Sequence, residues 1–254
     1  MSVNNATQRF SSRVKDYTRY RPGYPQEVIA LLKTECGLTS DAVVADIASG
    51  TGIFTRMLLE NGNRVFGVEP NPDMRAAGEE FLAGFSNFTS VAGSAESTTL
   101  AAHSVDLITA AQAAHWFDRA KARHEFVRIL KPGGWTVLIW NERKIGGTAF
   151  LGAYEQLLLT YGTDYREVRH ERTTAEIADF FSPSHFRSRT FAMRQDCGYP
   201  ALEGRLLSSS YTPQPGHPSY EPMLGKLRQL FDTHQVNGRV SLDYDTRVFY
   251  GQLA

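Results

Sequence analysis

The chain has 254 residues, enough to bury a sizeable core, and carries 27 Lys plus Arg against 27 Asp plus Glu, a balance that offers nucleic acid no broad attraction. Its two cysteines, Cys36 and Cys197, lie far apart and fit neither a metal-ligand spacing nor a secreted disulfide framework, so both are read as free thiols in a reducing compartment and no metal is expected. No run approaches the roughly eighteen apolar residues of a membrane span and no signal-peptide core opens the chain, so a soluble, cytoplasmic protein with no membrane partner is expected.

Residues 1 to 26 carry Arg9, Arg13, Lys15, Arg19 and Arg21 against the single acid Asp16, a bias shared with organelle transit peptides, but aromatic residues recur through the same stretch. "QEVIALLKTECG" then has the apolar spacing of a helix, follows Pro25 and meets a C-cap glycine at Gly37. "VVADIA" is a β-branched run suited to a buried parallel strand, "IFTRMLLENG" a helix closed by Gly62, and "RVFGVEP" the next strand. Asn71 caps a helix with Pro72 at its first position, running through "DMRAAGEEFLAG".

"NFTSVAGS", "SVDLITAAQ" and "WTVLIWNE" are further strands, with the helix "DRAKARHEFVRIL", capped by Asp118, before the last of them. Alternating strands and helices imply a mostly parallel α/β sheet with right-handed crossovers and helices on both faces. From 144 to 184 the pattern turns helical and aromatic and reads as an insertion or cap. "FRSRTFAMRQ" and "RVSLDYDTRVFYGQL" alternate with period 2, as antiparallel strands at a sheet edge do. The expectation is one domain over 1–254, with 1–24 as an N-terminal lid.

Ligands of open α/β sheets bind beyond the carboxyl ends of the strands, where Gly50 and Gly52 stand. Glu69, ending the next strand, is placed to accept hydrogen bonds from a ribose diol. The third glycine of a dinucleotide fingerprint is missing, because Thr55 occupies its position, and no phosphate-loop motif is present. An NAD(P)-dependent oxidoreductase is therefore disfavoured.

The ordered set "VADIASGTG", "GVEPNPDM", "GSAES", "VDLITAAQAAHWFD" and "RILKPGGWTVLI" resembles the motifs of class I S-adenosylmethionine-dependent methyltransferases, in particular the small-molecule branch of trans-aconitate methyltransferase-like enzymes. The resemblance covers most of the chain and implies a Rossmann-like sheet with an antiparallel C-terminal strand. It implies S-adenosylmethionine as cofactor, S-adenosylhomocysteine as product and a small-molecule acceptor; a non-catalytic protein binding the same cofactor stays open beside it. Carried across by position, it sets the methionyl part against Asp46, Ala48, Gly50 and Gly52 and the ribose on Glu69. It sets the adenine between Met74, Ser94, Ala95, Glu96 and Gln112. Ser94 departs from the acid many relatives have there. Without a ligand, Gly52 is a helix cap, Met74 a core residue and Glu69 a solvated strand end.

Methyl transfer from a sulfonium needs positioning and exclusion of water rather than a metal, and aromatic faces attract the cation. "AAHWFD" places His115, Trp116 and Phe117 at the pocket rim. The N-terminal segment resembles the lid of the same branch and brings Tyr17, Tyr20, Arg21 and Tyr24. Arg21 is read as a carboxylate ligand or a turn residue, His115 as a general base or a loop-ordering residue, and Trp140 as acceptor lining or core. The favoured reaction is O-methylation of a small carboxylate, with hydroxyl, amine or carbon acceptors as alternatives. Oligomeric state is not legible.

Overall fold

The computed structural model describes residues 14–168 and 174–253; within them the side chains of residues 15–17, 167–168 and 174–176 lie outside the description. Of the expected lid, residues 1–13 therefore fall outside, as does the side chain of Tyr17.

In chain order the elements are α1 (Val14–Tyr20), α2 (Glu27–Glu35), β1 (Val43–Ile47), α3 (Ile53–Glu60), β2 (Arg64–Val68), α4 (Pro72–Phe81), β3 (Phe88–Val91), β4 (Val105–Ala111), α5 (Arg119–Ile129), β5 (Leu130–Arg143), α6 (Ala149–Tyr161), α7 (Tyr165–Val168), α8 (Thr174–Phe181), β6 (Phe186–Cys197), α9 (Tyr199–Leu207), α10 (Tyr220–His234) and β7 (Val240–Gly251). The seven strands form one sheet in the order β3-β2-β1-β4-β5-β7-β6. β3, β2, β1, β4 and β5 pair in parallel, whereas β7 runs antiparallel to both β5 and β6. This is the mostly parallel, Rossmann-like sheet with an antiparallel final strand that the motif order implies.

Local signals decide several boundaries. Gly37, at φ +66°, follows α2 in the left-handed conformation, and Leu38 N–H closes back on the Leu32 carbonyl at 3.0 Å. The Asn71 side chain accepts from the Asp73 and Met74 amides, with Pro72 in the first turn of α4. Asp118 likewise accepts from Lys121 N–H and starts α5.

Three differences from the sequence reading have physical causes. β5 begins at Leu130 rather than Trp135, because Leu130 pairs with Val105 before the Lys131–Gly134 turn and Trp135 resumes the ladder against Leu107. β7 lies inside the sheet, with β6 at the edge; its even positions 240 to 250 are all buried. The span 144–184 is not uniform: α8 buries Ile177, Phe180 and Phe181 in the core beneath the sheet with Phe126 and Phe249, while α6 packs in a separate cluster with α9 and α10. Periodicity located those helices but not their partners.

Two apolar clusters cover the two faces. Val44, Leu107, Val137, Ile139, Val248 and Tyr250 face α2 and α3, and Ala45, Ile47, Ile108, Leu138 and Phe249 face α5 and α8. The third cluster gathers α6, α9 and α10 on the first half of β7, through Leu242 and Tyr244. Among the described residues, no helix is long and apolar enough to cross a membrane. Cys36 and Cys197 are free and buried, and burial raises their thiol pKa values to about 12 and about 11, which keeps both protonated and unreactive.

Candidate active site

The carboxyl ends of β1, β2 and β4 converge on the turn from Ala48 to Gly52. Ala48, Gly50 and Gly52 all have positive φ, at 53°, 58° and 84°. Gly52 is both the residue preceding α3 and a point of close approach: a Cβ there would stand 2.6 Å from Leu82 Cδ1. A Cβ on Gly50 would meet Met74 Cε at 3.4 Å, so the tip of Met74 lies over the loop while its body is buried. Ala48 takes the left-handed conformation without glycine's freedom, as does Gln112 at the end of β4 with φ 58°. Strained backbone at the ends of two neighbouring strands is characteristic of ligand-holding turns.

Beneath this turn sits Asp46, only 1% exposed. Its carboxylate accepts from Thr55 Oγ1 at 2.6 Å and Thr109 Oγ1 at 2.7 Å, tying β1 to α3 and β4. Burial raises its pKa to about 6 despite those two bonds. Asp46 thus shapes the loop from below. Glu69 plays the complementary part from β2: one carboxylate oxygen accepts from Gly50 N–H at 2.9 Å and the other from Asn71 N–H at 2.8 Å. Burial raises its pKa, opposed by those two amides and by Arg75. Each oxygen retains acceptor capacity beyond its single bond.

The 94–98 turn stands beside them. Ser94 and Ser97 exchange backbone hydrogen bonds, and Ala95 is buried. Glu96 Oε1 accepts from Asp118 N–H at 2.8 Å, which joins this turn to the loop after β4. Thr98 fixes the turn from the other end by donating its amide and hydroxyl to Glu125.

In that loop His115 stacks on Trp116 with ring centroids 4.6 Å apart, and its buried Nδ1 has no hydrogen-bond partner among the described residues. Phe117 turns inward onto Phe126, and Trp140 is buried against Phe249 in the core. The structure therefore separates the aromatic residues expected at the rim: Phe117 and Trp140 pack with the α5 and α8 core, the side of the sheet opposite Asn141.

The segment from Tyr20 to Tyr24 crosses above the strand ends and is pinned at three points. Gln195 Nε2 donates to the Tyr20 carbonyl at 3.1 Å, Arg21 Nη2 to the Ser208 carbonyl at 2.9 Å, and Asn141 Nδ2 to the Gly23 carbonyl at 2.8 Å. Tyr24 meets Phe54, the second residue of α3, edge-on at 5.2 Å. The Tyr20 ring instead lies against Gly204 of α9. Asn141 is a residue the sequence reading missed. It also accepts from Thr246 Oγ1, and its carbonyl accepts from Gln112 Nε2. Thr55 and Thr109 were missed as well, because an isolated threonine carries no signal until the acid it serves is placed.

The fold, a mostly parallel seven-stranded sheet with an antiparallel final strand, is shared with solved methyltransferases. Residues 45–138 match the family model described as a methyltransferase domain. The chain is 38% identical over 145 residues to a protein of Mycobacterium tuberculosis named as an uncharacterized methyltransferase, covering 56% of this chain and 57% of that one. A methyltransferase-like protein of Schizosaccharomyces pombe, also named as uncharacterized, is 33% identical over 135 residues, covering 53% and 52%. The chain thus spans a little over half the length of the curated relatives it matches. Among solved structures, one assigned as a Type II methyltransferase from Anaeromyxobacter dehalogenans superposes with a TM-score of 0.65 at 20% identity, covering 92% of this chain and 98% of the other. Phosphoethanolamine N-methyltransferase 2 of Haemonchus contortus, solved in complex with S-adenosyl-L-methionine, gives 0.60 at 15% identity, covering 100% and 60%.

Proposed function

We propose that the protein transfers a methyl group from S-adenosylmethionine to a small-molecule acceptor bearing a carboxylate, leaving S-adenosylhomocysteine. The observation that carries this reading is the joint made by Glu69 and Gly50. A left-handed turn follows β1, and a buried carboxylate at the end of β2 holds that turn while keeping acceptor capacity for a diol. The residues fit the cofactor: the Ala48–Gly52 main chain for its methionyl part, Glu69 for the ribose, and Met74, Ala95 and the 94–96 turn for the adenine.

When bound there, S-adenosylmethionine would supply an electrophilic methyl carbon to an acceptor lone pair, the carbon–sulfur electron pair returning to sulfur. The chain's own task is positioning and dehydration. The Tyr20–Tyr24 segment serves as a lid over the strand ends, and the 144–184 region contributes α6 to the acceptor side. A carboxylate is ionised at neutral pH and needs no base, in keeping with the trans-aconitate-like motifs and with Arg21 on the lid. No nucleic-acid partner is proposed.

A second reading is favoured by the buried Nδ1 of His115, which has no partner among the described residues: a hydroxyl or amine acceptor whose proton passes to that ring. Calorimetry with S-adenosylhomocysteine and with NAD tests the cofactor. Labelled-methyl transfer to a panel of carboxylic acids, phenols and amines tests the acceptor. Binding of NAD without S-adenosylhomocysteine would sink the proposal, and cofactor binding without transfer to any acceptor would leave a sensor in its place.

A further inference from the structure

Beyond the strand ends, between α6, α9 and β7, lies a buried polar cluster that the cofactor does not require. Arg143 at the end of β5 is paired with Glu155 of α6, and Tyr165 donates to the same Glu155 oxygen at 2.7 Å. Burial pushes the Tyr154 and Tyr165 hydroxyls up, so both are neutral phenols at pH 7. The second cation is Arg205 of α9, only 7% exposed. Its Nε donates to Tyr244 Oη at 3.2 Å and its Nη1 to Ser209 Oγ at 3.0 Å. Nη2 has no acceptor, and no carboxylate pairs with this guanidinium, among the described residues. Burying a charge without a counter-ion is costly, and tyrosine and serine hydroxyls recover only part of that cost.

Arg205 is connected to the site already described. Tyr244 stands opposite Arg143 in the β5–β7 register, and Arg143 is two residues beyond Asn141 on the same face of the strand, roughly 7 Å along it. Tyr244 Oη also reaches Gln195 Oε1 at 3.4 Å, and Gln195 holds the Tyr20 carbonyl of the crossing segment. The Gly204 that precedes Arg205 is the contact of the Tyr20 ring, and Ser208 one turn later accepts from Arg21. A fixed cation with no carboxylate partner among the described residues is therefore linked, through Tyr244 and Gln195, to the crossing segment that Asn141 also pins.

We propose that Arg205 is the subsite for the acceptor's anionic group, a carboxylate gripped by the free edge of the guanidinium. This rests on the methyltransferase reading, and it assigns the acceptor's charge to a residue outside every motif. A bidentate fork selects a planar carboxylate over its amide, and the tyrosine rings around it keep the pair dry.

The test uses the whole protein saturated with S-adenosylhomocysteine, titrated with benzoate and succinate and with their neutral counterparts benzamide and succinamide, by calorimetry and by thermal midpoint. At least one carboxylate binds and raises the midpoint, and its amide binds tenfold more weakly or worse. Arg205→Met weakens the carboxylate at least tenfold, leaves S-adenosylhomocysteine within twofold, and raises the midpoint of the unliganded protein, since an unpaired buried charge has gone. Arg205→Lys, which keeps the charge but not the fork, falls between the two. Carboxylate affinity unchanged in Arg205→Met, or absent from the loaded wild type, overturns the assignment. So does an Arg205→Met chain that fails to fold while Arg205→Lys binds carboxylates as the wild type does, because the guanidinium is then structural. Failure of the wild type to bind S-adenosylhomocysteine would sink the methyltransferase reading instead, and titration of the unliganded protein with the same carboxylates would still decide the role of Arg205.

Discussion

Glu69 and Gly50 hold each other: the carboxylate at the end of β2 accepts the glycine amide at 2.9 Å, fixing the loop after β1 by a side chain 19 residues further on. In the proposed reading, removal of this carboxylate takes away the ribose acceptor and releases the loop at once. Glu69→Ala is expected to weaken S-adenosylhomocysteine binding by about 2 to 3 kcal/mol, the scale of hydrogen bonds to a charged group. Glu69→Gln is expected to lose nearly as much, because an amide offers one oxygen to the two N–H groups of Gly50 and Asn71. Unchanged affinity in a folded Glu69→Ala protein, measured by calorimetry, would remove Glu69 from the site.

Asp46 imposes a pH dependence whose sign follows from its raised pKa. A carboxyl group at about 6 in the folded chain, above its ordinary value, binds its proton more tightly folded than unfolded. Its contribution to stability is complete below the unfolded value near 4 and is lost as pH rises through 6. The loss amounts to about 3 kcal/mol by pH 8, on the scale of 1.36 kcal/mol per unit. Asp46→Asn is expected to flatten urea-unfolding stability between pH 4 and 8 and to match or exceed the wild type at pH 8. A wild-type stability that rises across that interval, with the mutant parallel to it, would contradict this account.

Ala48 supplies a third measurement. An alanine at φ 53° carries the strain of the left-handed region, worth roughly 1 to 2 kcal/mol, which glycine avoids at the expense of a more disordered unfolded chain. Ala48→Gly should stabilise the protein by about 0.5 to 1 kcal/mol in chemical denaturation. A destabilised mutant would mean that the Ala48 methyl group makes contacts worth more than the strain.

These residues also show how far the sequence could be read. Gly50, Gly52 and Glu69 were legible because strand, turn and strand are local and their spacing is fixed by one crossover. Asn71 and Asp118 were legible as caps, since a cap acts on its own next turn. Asn141 and Arg205 were not, because what makes each significant is a partner more than a hundred residues away or the lack of one: Gly23 for Asn141, a missing carboxylate for Arg205. Trp140 was ambiguous for another reason. Neighbouring residues of a strand face opposite sides, and only the docking of α8 shows which side of β5 is filled by core.

The crossing segment should respond to ligand. Residues 20–24 are held by hydrogen bonds that Asn141 and Gln195 donate to the Gly23 and Tyr20 carbonyls and that Arg21 donates to Ser208, each of the kind that opens locally. Amide exchange over residues 14–25 is expected to slow when S-adenosylhomocysteine is added. Asn141→Ala should speed exchange in the same residues and raise the acceptor's KM more than it lowers kcat. Equal exchange with and without ligand would defeat the lid.

Arg21 and His115 separate the two acceptor chemistries. Arg21 reaches from the crossing segment to Ser208 beside the Arg205 cluster, whereas His115 lies in the loop after β4 with its Nδ1 unpartnered among the described residues. If the acceptor oxygen is already ionised, the protein's work is to hold it, and Arg21→Lys should raise KM about tenfold by losing the planar guanidinium. His115→Gln should then change kcat by less than about threefold, with a flat pH profile from 6 to 8. If a proton must leave the acceptor, a general base contributes about 100- to 10,000-fold, and His115→Gln should lose that factor along with the acidic limb of the rate profile. The carboxylate reading expects the first pattern on whichever substrate the panel reveals. A loss above a hundredfold in His115→Gln beside a near-normal Arg21→Lys would transfer the assignment to a hydroxyl or amine. In that case Arg205 would anchor a charged group remote from the reacting atom, and the carboxylate would be the handle by which the substrate is held.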